Sequence, residues 1–431
     1  MTLLIISPDY ASHLYPLASM GRAWQDRGHR VVVATGAATA EIVRSFGFAH
    51  APLQLSQGSN PGTIRAEDQP KGEDEVLRGF FEATRDGMIP TLAYQARARL
   101  HDLMWQPVSS ARAVRSIIDE VAPDEIIIDH LAYSARLAVE AAQIPYIDVV
   151  LGHPTALPLP AAGEVYGFPP AWPEAFAPAA AELHELRELC DEVSERFTRE
   201  WNAVLAELAP ERPPAANAFA AHGDFLVFNY PESLVSPQRR ELLPPHTFVG
   251  SLLRPERHDD EVAAWLEQSD EPFVYVSFGS FLSVRGDVLA RVAAALRERG
   301  LRAAIAHGSS SPEELGPLPE NWLVRGFLPQ LTLLERAAAA VTHGGNNSVT
   351  EALACGVPLV VLPFSTDQFA GAEALERTGL GIALAPNEAS PADLAQAIGS
   401  ALERGRAEPS HPAEPGPEIA YRSRRLDRRL R

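Results

Sequence analysis

Basic charge is what this 431-residue chain lacks most: 37 Lys and Arg against 56 Asp and Glu leave a formal net charge of −19. A surface of that sign argues against a nucleic-acid partner or a stable hold on an anionic membrane. Any anionic ligand must then be met locally, by helix ends and a few side chains. Cysteine is scarce as well. Cys190 and Cys355 stand far apart without metal-ligand spacing, which excludes a disulfide framework and fits a reducing compartment. No apolar run nears the ~20 residues that span a bilayer. The opening "MTLLIISPDY" has no basic flank, so a cytoplasmic protein is expected. Two further absences narrow the chemistry. There is no Asp-x-Asp to bridge a metal to a diphosphate, and no G-x-G-x-x-G in the first turn of either half to bind a dinucleotide.

What is present is alternation. "LLIIS" (3–7) is followed by Leu14, Leu17, Ala18, Gly21 and Trp24 at helical spacing, then "RVVVAT" (30–35). The unit recurs as "DEIIIDH" (124–130), a helix over 132–143, and "PYIDVVL" (145–151). Residues 155–220 are rich in Ala, Pro and Glu, with no clear strand. The alternation resumes with strands at 273–279, 301–307, 321–327, 338–343 and 358–364, and helices over 286–299, from 347, and over 369–377. Apolar strands alternating with amphipathic helices predict parallel sheets covered on both faces. The expected architecture is α/β, with two Rossmann-like, doubly wound domains: 1–235, a proline-rich linker over 236–270, then 271–405. A Pro/Arg-rich tail, 406–431, is expected to be solvated.

"VTHGGNNSVTEALACGVP" (341–358) runs from strand through a glycine pair into a helix. The first turn of a helix presents unsatisfied N–H groups and the positive end of the dipole, which suits a phosphate. Gly344 and Gly345 would let a bulky ligand approach the backbone, with His343, Asn347 and Ser348 as donors. Taken alone, the Asn and Ser could simply cap the helix and the glycines simply turn the chain. The surroundings favour a ligand. Glu351 lies one turn further on, where it could meet a ribose diol. Asp367 and Gln368 follow the next strand, Phe327 and Gln330 in "RGFLPQ" end another, and Ser280 ends "VSFGS", all at the strand ends where open α/β sheets bind ligands.

In this order and spacing, "FLPQ", "THGGNNS", "TEALACGVP" and "FSTDQ" resemble the donor signature of family 1 glycosyltransferases. The likeness is strong over about 270–400 and weaker over 1–150. It implies a GT-B fold, two Rossmann-like domains facing across a cleft, and transfer of a sugar from a nucleoside diphosphate to a small acceptor. It also implies that Phe327 stacks on the base beside Gln330. His343, Asn347 and Ser348 would hold the diphosphate, Glu351 the ribose, and Asp367 with Gln368 the sugar hydroxyls. The "FLPQ" form looks like bacterial enzymes that decorate antibiotics and other secondary metabolites.

Transfer to a hydroxyl also needs a base. His13, in "SHLYP", and Asp129, in "IIIDH", each lie just past a strand that a Rossmann order places at the topological switch, so the two should meet. His13 would then be the base and Asp129 would fix its tautomer and stabilise the imidazolium. Each could instead be a local cap. Family members carry "GHxxP" and an aspartate at these positions; Ser12 here replaces the glycine. His130 reads as a neighbouring loop residue. In-line attack would invert the anomeric centre without a covalent intermediate or a metal, the co-substrate being a UDP- or dTDP-sugar. A hydrophobic acceptor is expected against the N-terminal domain, near Phe80, Phe81, Met88, Leu151, Tyr166, Phe168 and Trp172. Competing readings are a silent auxiliary protein of the same fold, and a sugar-nucleotide epimerase or lipid-sugar transferase. The last typically has a glycine-rich first loop, which "SPDYASH" lacks.

Overall fold

The structure, a computed structural model, describes residues 1–62, 68–100, 103–253 and 256–406. The expected tail therefore lies outside the described residues beyond Arg406. Two wholly parallel sheets carry the fold. The first comprises β1 (Thr2–Ile6), β2 (Arg30–Thr35), β3 (Ala49–Pro52), β4 (Glu125–Asp129), β5 (Ile147–Val150), β6 (Phe225–Phe228) and β7 (His246–Phe248), in the order β3-β2-β1-β4-β5-β6-β7. The second comprises β8 (Phe273–Ser277), β9 (Arg302–Ala306), β10 (Leu323–Arg325), β11 (Ala339–Thr342), β12 (Leu359–Val361) and β13 (Gly381–Ala383), in the order β10-β9-β8-β11-β12-β13.

Central strands are apolar throughout because both of their faces are covered. In β1, Leu3 and Ile5 pack with Leu14, Leu17 and Trp24 of the helix Ala11–Gln25. Leu4 and Ile6 point the other way, toward Val114 and Ile118 of the helix Pro107–Val121 and Val139 of the helix Tyr133–Ala141. β8 repeats the plan. Val274 and Val276 share a cluster with Leu289, Val292 and Leu296 of the helix Gly286–Glu298, while Phe273 and Tyr275 fill the opposite layer. Each such side chain contributes about 1.5–3 kcal/mol on burial.

The stretch expected as a linker, 236–270, is drawn into both halves. His246–Phe248 pairs with β6 as the edge of the first sheet, and the helix Asp260–Glu267 sends Val262, Trp265 and Leu266 into a core cluster with Phe273 and Leu323 of the second. The connection between the sheets is thus confined to the residues between Phe248 and Asp260. An edge strand of three half-buried residues needs no apolar run, so its sequence reads as loop. The same cluster joins Val150, Leu157 and Tyr230 to Val349, Ala352 and Ala372, so the two halves share a core.

Strand order reverses between β1 and β4 in the first sheet, and at the equivalent place between β8 and β11 in the second. The loops leaving these strand ends line one cavity of about 1000 Å³.

Candidate active site

Ile6 of β1 is level with Ile128 of β4, so residues just beyond the two strands are neighbours. His13 stands in the first turn of the helix Ala11–Gln25, and its Nδ1 lies 2.7 Å from Asp129 Oδ2. The other carboxylate oxygen accepts from the Leu131 N–H at 2.9 Å, which fixes the carboxylate at the strand end. Asp129 is fully buried whereas His13 keeps 21% of its side chain exposed, so Nε2 is the nitrogen left for a reactant. Burial opposes protonation of His13, but the charge and hydrogen bond of Asp129 outweigh it and raise the pKa above its ordinary value.

Pro16 lies inside this helix. Proline has no N–H, so the Ser12 carbonyl loses its intrahelical partner. Asn347 supplies a replacement from across the cavity, its Nδ2 donating to Ser12 O at 2.8 Å. Asn347 sits in the first turn of the helix Asn346–Ala354. One hydrogen bond thus ties the mouth of that helix to the residue preceding His13.

No side chain caps this mouth. The Asn346 amide reaches Leu151 O at 2.5 Å and Asn229 O at 2.9 Å, binding the two halves together, and Ser348 Oγ lies 3.5 Å from Gln330 Oε1. The alternative that these side chains serve as caps is therefore not what the structure shows. The glycines serve the protein's own packing. A Cβ on Gly345 would fall 2.3 Å from His343 Nε2, one on Gly279 2.7 Å from His343 Cε1, and one on Gly344 2.8 Å from Val361 Cγ1. Gly345 and Gly279 clear space for the His343 ring, and Gly344, at φ 85°, turns the chain against β12. Burial pushes His343 down to about 4 despite the nearby Asp367 carboxylate, so its imidazole is neutral at pH 7.

Around the mouth, Gln330 Nε2 donates to Glu351 Oε2 at 2.6 Å, and Phe327 lies 61% exposed on the same lining. Asn60 Nδ2 donates to Ser280 Oγ at 3.1 Å from the opposite half. Asp367 accepts from the His153 N–H at 2.7 Å and from Thr366 Oγ1 at 2.9 Å, and Thr366 is held at φ 49°, a strained conformation for a β-branched residue. Gln368 also lines the cavity, but its Oε1 accepts from the N–H groups of Phe364 and Ser365, at 3.0 and 3.2 Å. Its amide thus holds the loop that presents Asp367.

Of the expected acceptor residues, Phe80, Leu151, Tyr166 and Phe168 line the cavity. Phe81, Met88 and Trp172 are not among them. Phe81 turns inward to Leu77 on the amphipathic helix Glu73–Asp86, and Met88 and Trp172 belong to a cluster around the helix Ala180–Leu208. His130 is more than a loop residue. Its Nδ1 lies 3.0 Å from both oxygens of the buried Asp148, Arg136 donates to its carbonyl at 2.7 Å, and burial with that cation lowers its pKa. A second, fully buried His–Asp pair thus stands directly behind the first.

Residues 2–406 match the model of the UDP-glucoronosyl and UDP-glucosyl transferase family. The chain belongs to that family. It is 25% identical over 415 residues to 4'-demethylrebeccamycin synthase of Lentzea aerocolonigenes, covering 94% of this chain and 92% of that one. It is 24% identical over 397 residues to NDP-glycosyltransferase YjiC of Bacillus subtilis (strain 168), covering 92% and 87%. The solved structure of the glycosyltransferase VinC in complex with dTDP shares the fold, with a TM-score of 0.62 at 18% identity over 95% of this chain and 92% of that one. The protein is a glycosyltransferase of nucleoside-diphosphate sugars with the two-domain GT-B architecture.

In this transferase the residues that sequence reasoning passed over are those that cross between the halves: Asn60, His153, Asn346 and the Ser12 carbonyl. Their signal was faint. A second Asn in "GGNNS" and a proline four residues after Ser12 are visible in sequence, but only the packed halves give them partners.

Proposed function

We propose that the enzyme moves a hexose from a UDP- or dTDP-sugar to a hydroxyl of a small hydrophobic natural product, with inversion at the anomeric carbon, in the bacterial cytoplasm. The observation that carries this reading is the His13–Asp129 pair at 2.7 Å beside an uncapped helix mouth, the two tied by the 2.8 Å bond from Asn347 to Ser12. His13 Nε2 takes the acceptor proton as the oxygen forms its bond to the anomeric carbon, and the bond to the diphosphate breaks, its electron pair leaving with the phosphate. Asp129 accepts from the Nδ1–H, keeps that proton on the ring, and stabilises the imidazolium.

The departing diphosphate is met by the N–H groups and dipole of the helix Asn346–Ala354, with Asn347, Ser348 and neutral His343 beside them. No metal is needed in this scheme. Phe327 faces the base and Glu351, oriented by Gln330, the ribose. Asp367, held by its loop, faces the sugar, Gln368 acting behind it, while Ser280 and Gly345 border the phosphates. The acceptor lies against Phe80, Leu151, Tyr166 and Phe168. Relatives that use nucleoside-diphosphate sugars, and a neighbour solved with dTDP, support the choice of donors.

The test is calorimetric binding of UDP-glucose, dTDP-glucose, UDP and NAD, followed by transfer to a phenolic acceptor with and without EDTA, the product read by NMR. A β-anomeric product formed equally in both buffers is expected. An α-anomer, or activity abolished by EDTA, would sink the mechanism.

A further inference from the structure

Arg99 is the only Arg or Lys among the described residues lining the cavity. It ends the helix Met88–Arg99 in the acceptor-side half, and no hydrogen bond or ion pair engages its guanidinium among the described residues. The group is nevertheless held in place. Its central carbon lies 5.0 Å from the centroid of the Tyr166 ring. Tyr166 stacks on Phe219 at 3.9 Å and 9°, Phe219 on Phe197 at 4.3 Å and 25°, and the Tyr133 hydroxyl donates to that of Tyr166 at 3.2 Å. Gly167, at φ 85°, completes the seat: a Cβ there would fall 2.7 Å from Arg99 Nη1.

Among the described residues, nothing around the seat supplies an anion. The Cys190 thiol is pushed up to about 11 by burial, and burial raises the Tyr133 phenol well above its ordinary value, so both are neutral at pH 7. Asp191 is paired with Arg187 at 3.4 Å. The negative end of the helix dipole favours a cation at this position but offers no oxygens to a planar fork of N–H donors. In a chain of net charge −19, a single oriented guanidinium in an acceptor wall is a local inversion of sign.

We infer that Arg99 is a specificity-determining residue that pairs with a carboxylate on the acceptor. The acceptor class is thereby narrowed from hydrophobic aglycones in general to those that carry an acid group remote from the reacting hydroxyl. The inference rests on the assignment of this wall to the acceptor. The long-range field of the protein repels anions, so a preference for an anionic acceptor must arise at such a site.

A matched pair of fluorescent phenols tests it: 7-hydroxycoumarin-4-acetic acid and 7-hydroxy-4-methylcoumarin, which differ by the carboxylate, titrated against the full chain in low salt. The acid should bind about tenfold more tightly, the scale of one charge-assisted contact. Arg99→Gln should erase that preference, Arg99→Lys should keep part of it, and added salt should shrink it. Circular dichroism checks that both variants are folded. Equal affinities, no binding of the acid, or a preference that survives in Arg99→Gln would overturn the inference. So would a loss of UDP affinity in Arg99→Gln, which would assign the guanidinium to the donor. If the Arg99-dependent preference appears but neither coumarin is glycosylated from UDP-glucose or dTDP-glucose, the proposed transfer from these donors to such a hydroxyl fails and the carboxylate site stands.

Discussion

The two halves of the enzyme share one strand order and put a histidine at the same switch point, yet the histidines are set for opposite tasks. His13 follows β1 and keeps one face toward the cavity, with a buried carboxylate on its other nitrogen. His343 follows β11, is enclosed by Gly279 and Gly345, and has no carboxylate in hydrogen-bond contact among the described residues. The first is raised above its ordinary pKa and the second is pushed down to about 4. Topology therefore decides where the ligands meet, and the immediate partner of each ring decides whether it moves a proton or only donates a hydrogen bond.

The largest effects should come from making the first half resemble the second. His13→Ala, or Asp129→Asn, is expected to lower kcat by about 10²–10⁴-fold, the range of a lost general base or a lost tautomer. UDP affinity by calorimetry should stay within a factor of about three, as no donor contact is removed. In the wild type, kcat/KM should rise with pH through an inflection above 6.5, because a raised pKa keeps the base protonated until then. Asp129→Asn removes the groups that raise it, so the inflection in the residual activity should move to lower pH. An unmoved inflection would mean that another group titrates.

Gly345→Ala sharpens the comparison from the other side. The new Cβ would lie 2.3 Å from His343 Nε2, so the ring must turn away from the helix mouth. Donor affinity should fall about tenfold or more, as one hydrogen bond to a charged phosphate is lost. His343→Ala should match it, and the pH inflection set by His13 should not change. A Gly345→Ala enzyme with normal UDP affinity would remove His343 from the diphosphate site.

Much of this was legible in sequence where the signal was local. Continuous apolar strands such as "LLII" and "VYVS" announced central parallel strands, and His13 and Asp129 could be paired because each follows a strand of known neighbourhood. The expected donor residues all line the same cavity, since each follows a strand end of the same sheet or lies in the first turns of the helix after it. Short edge strands such as His246–Phe248 were hidden, because half-buried edges carry no apolar run. Phe81, Met88 and Trp172 could not be separated from Phe80 by composition; Phe81 faces away because adjacent residues of a helix point in different directions, and Met88 and Trp172 are drawn into the cluster around the helix Ala180–Leu208. The bonds crossing the cleft, from Asn60, Asn346 and Asn347, were invisible because both partners are polar and more than a hundred residues apart.

The smallest effect is on stability, and there His13 and the other buried histidines pull in opposite directions. Burial lowers the pKa of His130 and pushes His153 and His343 down to about 4, so the last two are neutral in the folded protein near pH 5 while their unfolded counterparts are mostly protonated. Their contribution is complete above about pH 6.5, the ordinary histidine value. It is lost as the pH falls from there toward 4, because the unfolded chain binds protons that the folded one refuses. His13 works in reverse: with its pKa raised, its pairing with Asp129 contributes fully below about 6.5 and fades as the pH rises through its folded value. Three groups against one give a net loss in acid, so the melting temperature should drop by several degrees between pH 7 and pH 5. His343→Gln should flatten that drop, because it removes one proton-refusing site, and His13→Gln should steepen it. A melting temperature that is level or rising toward pH 5 would mean that the buried imidazoles are not neutral in the folded protein, and the contrast between the two histidines would fall with them.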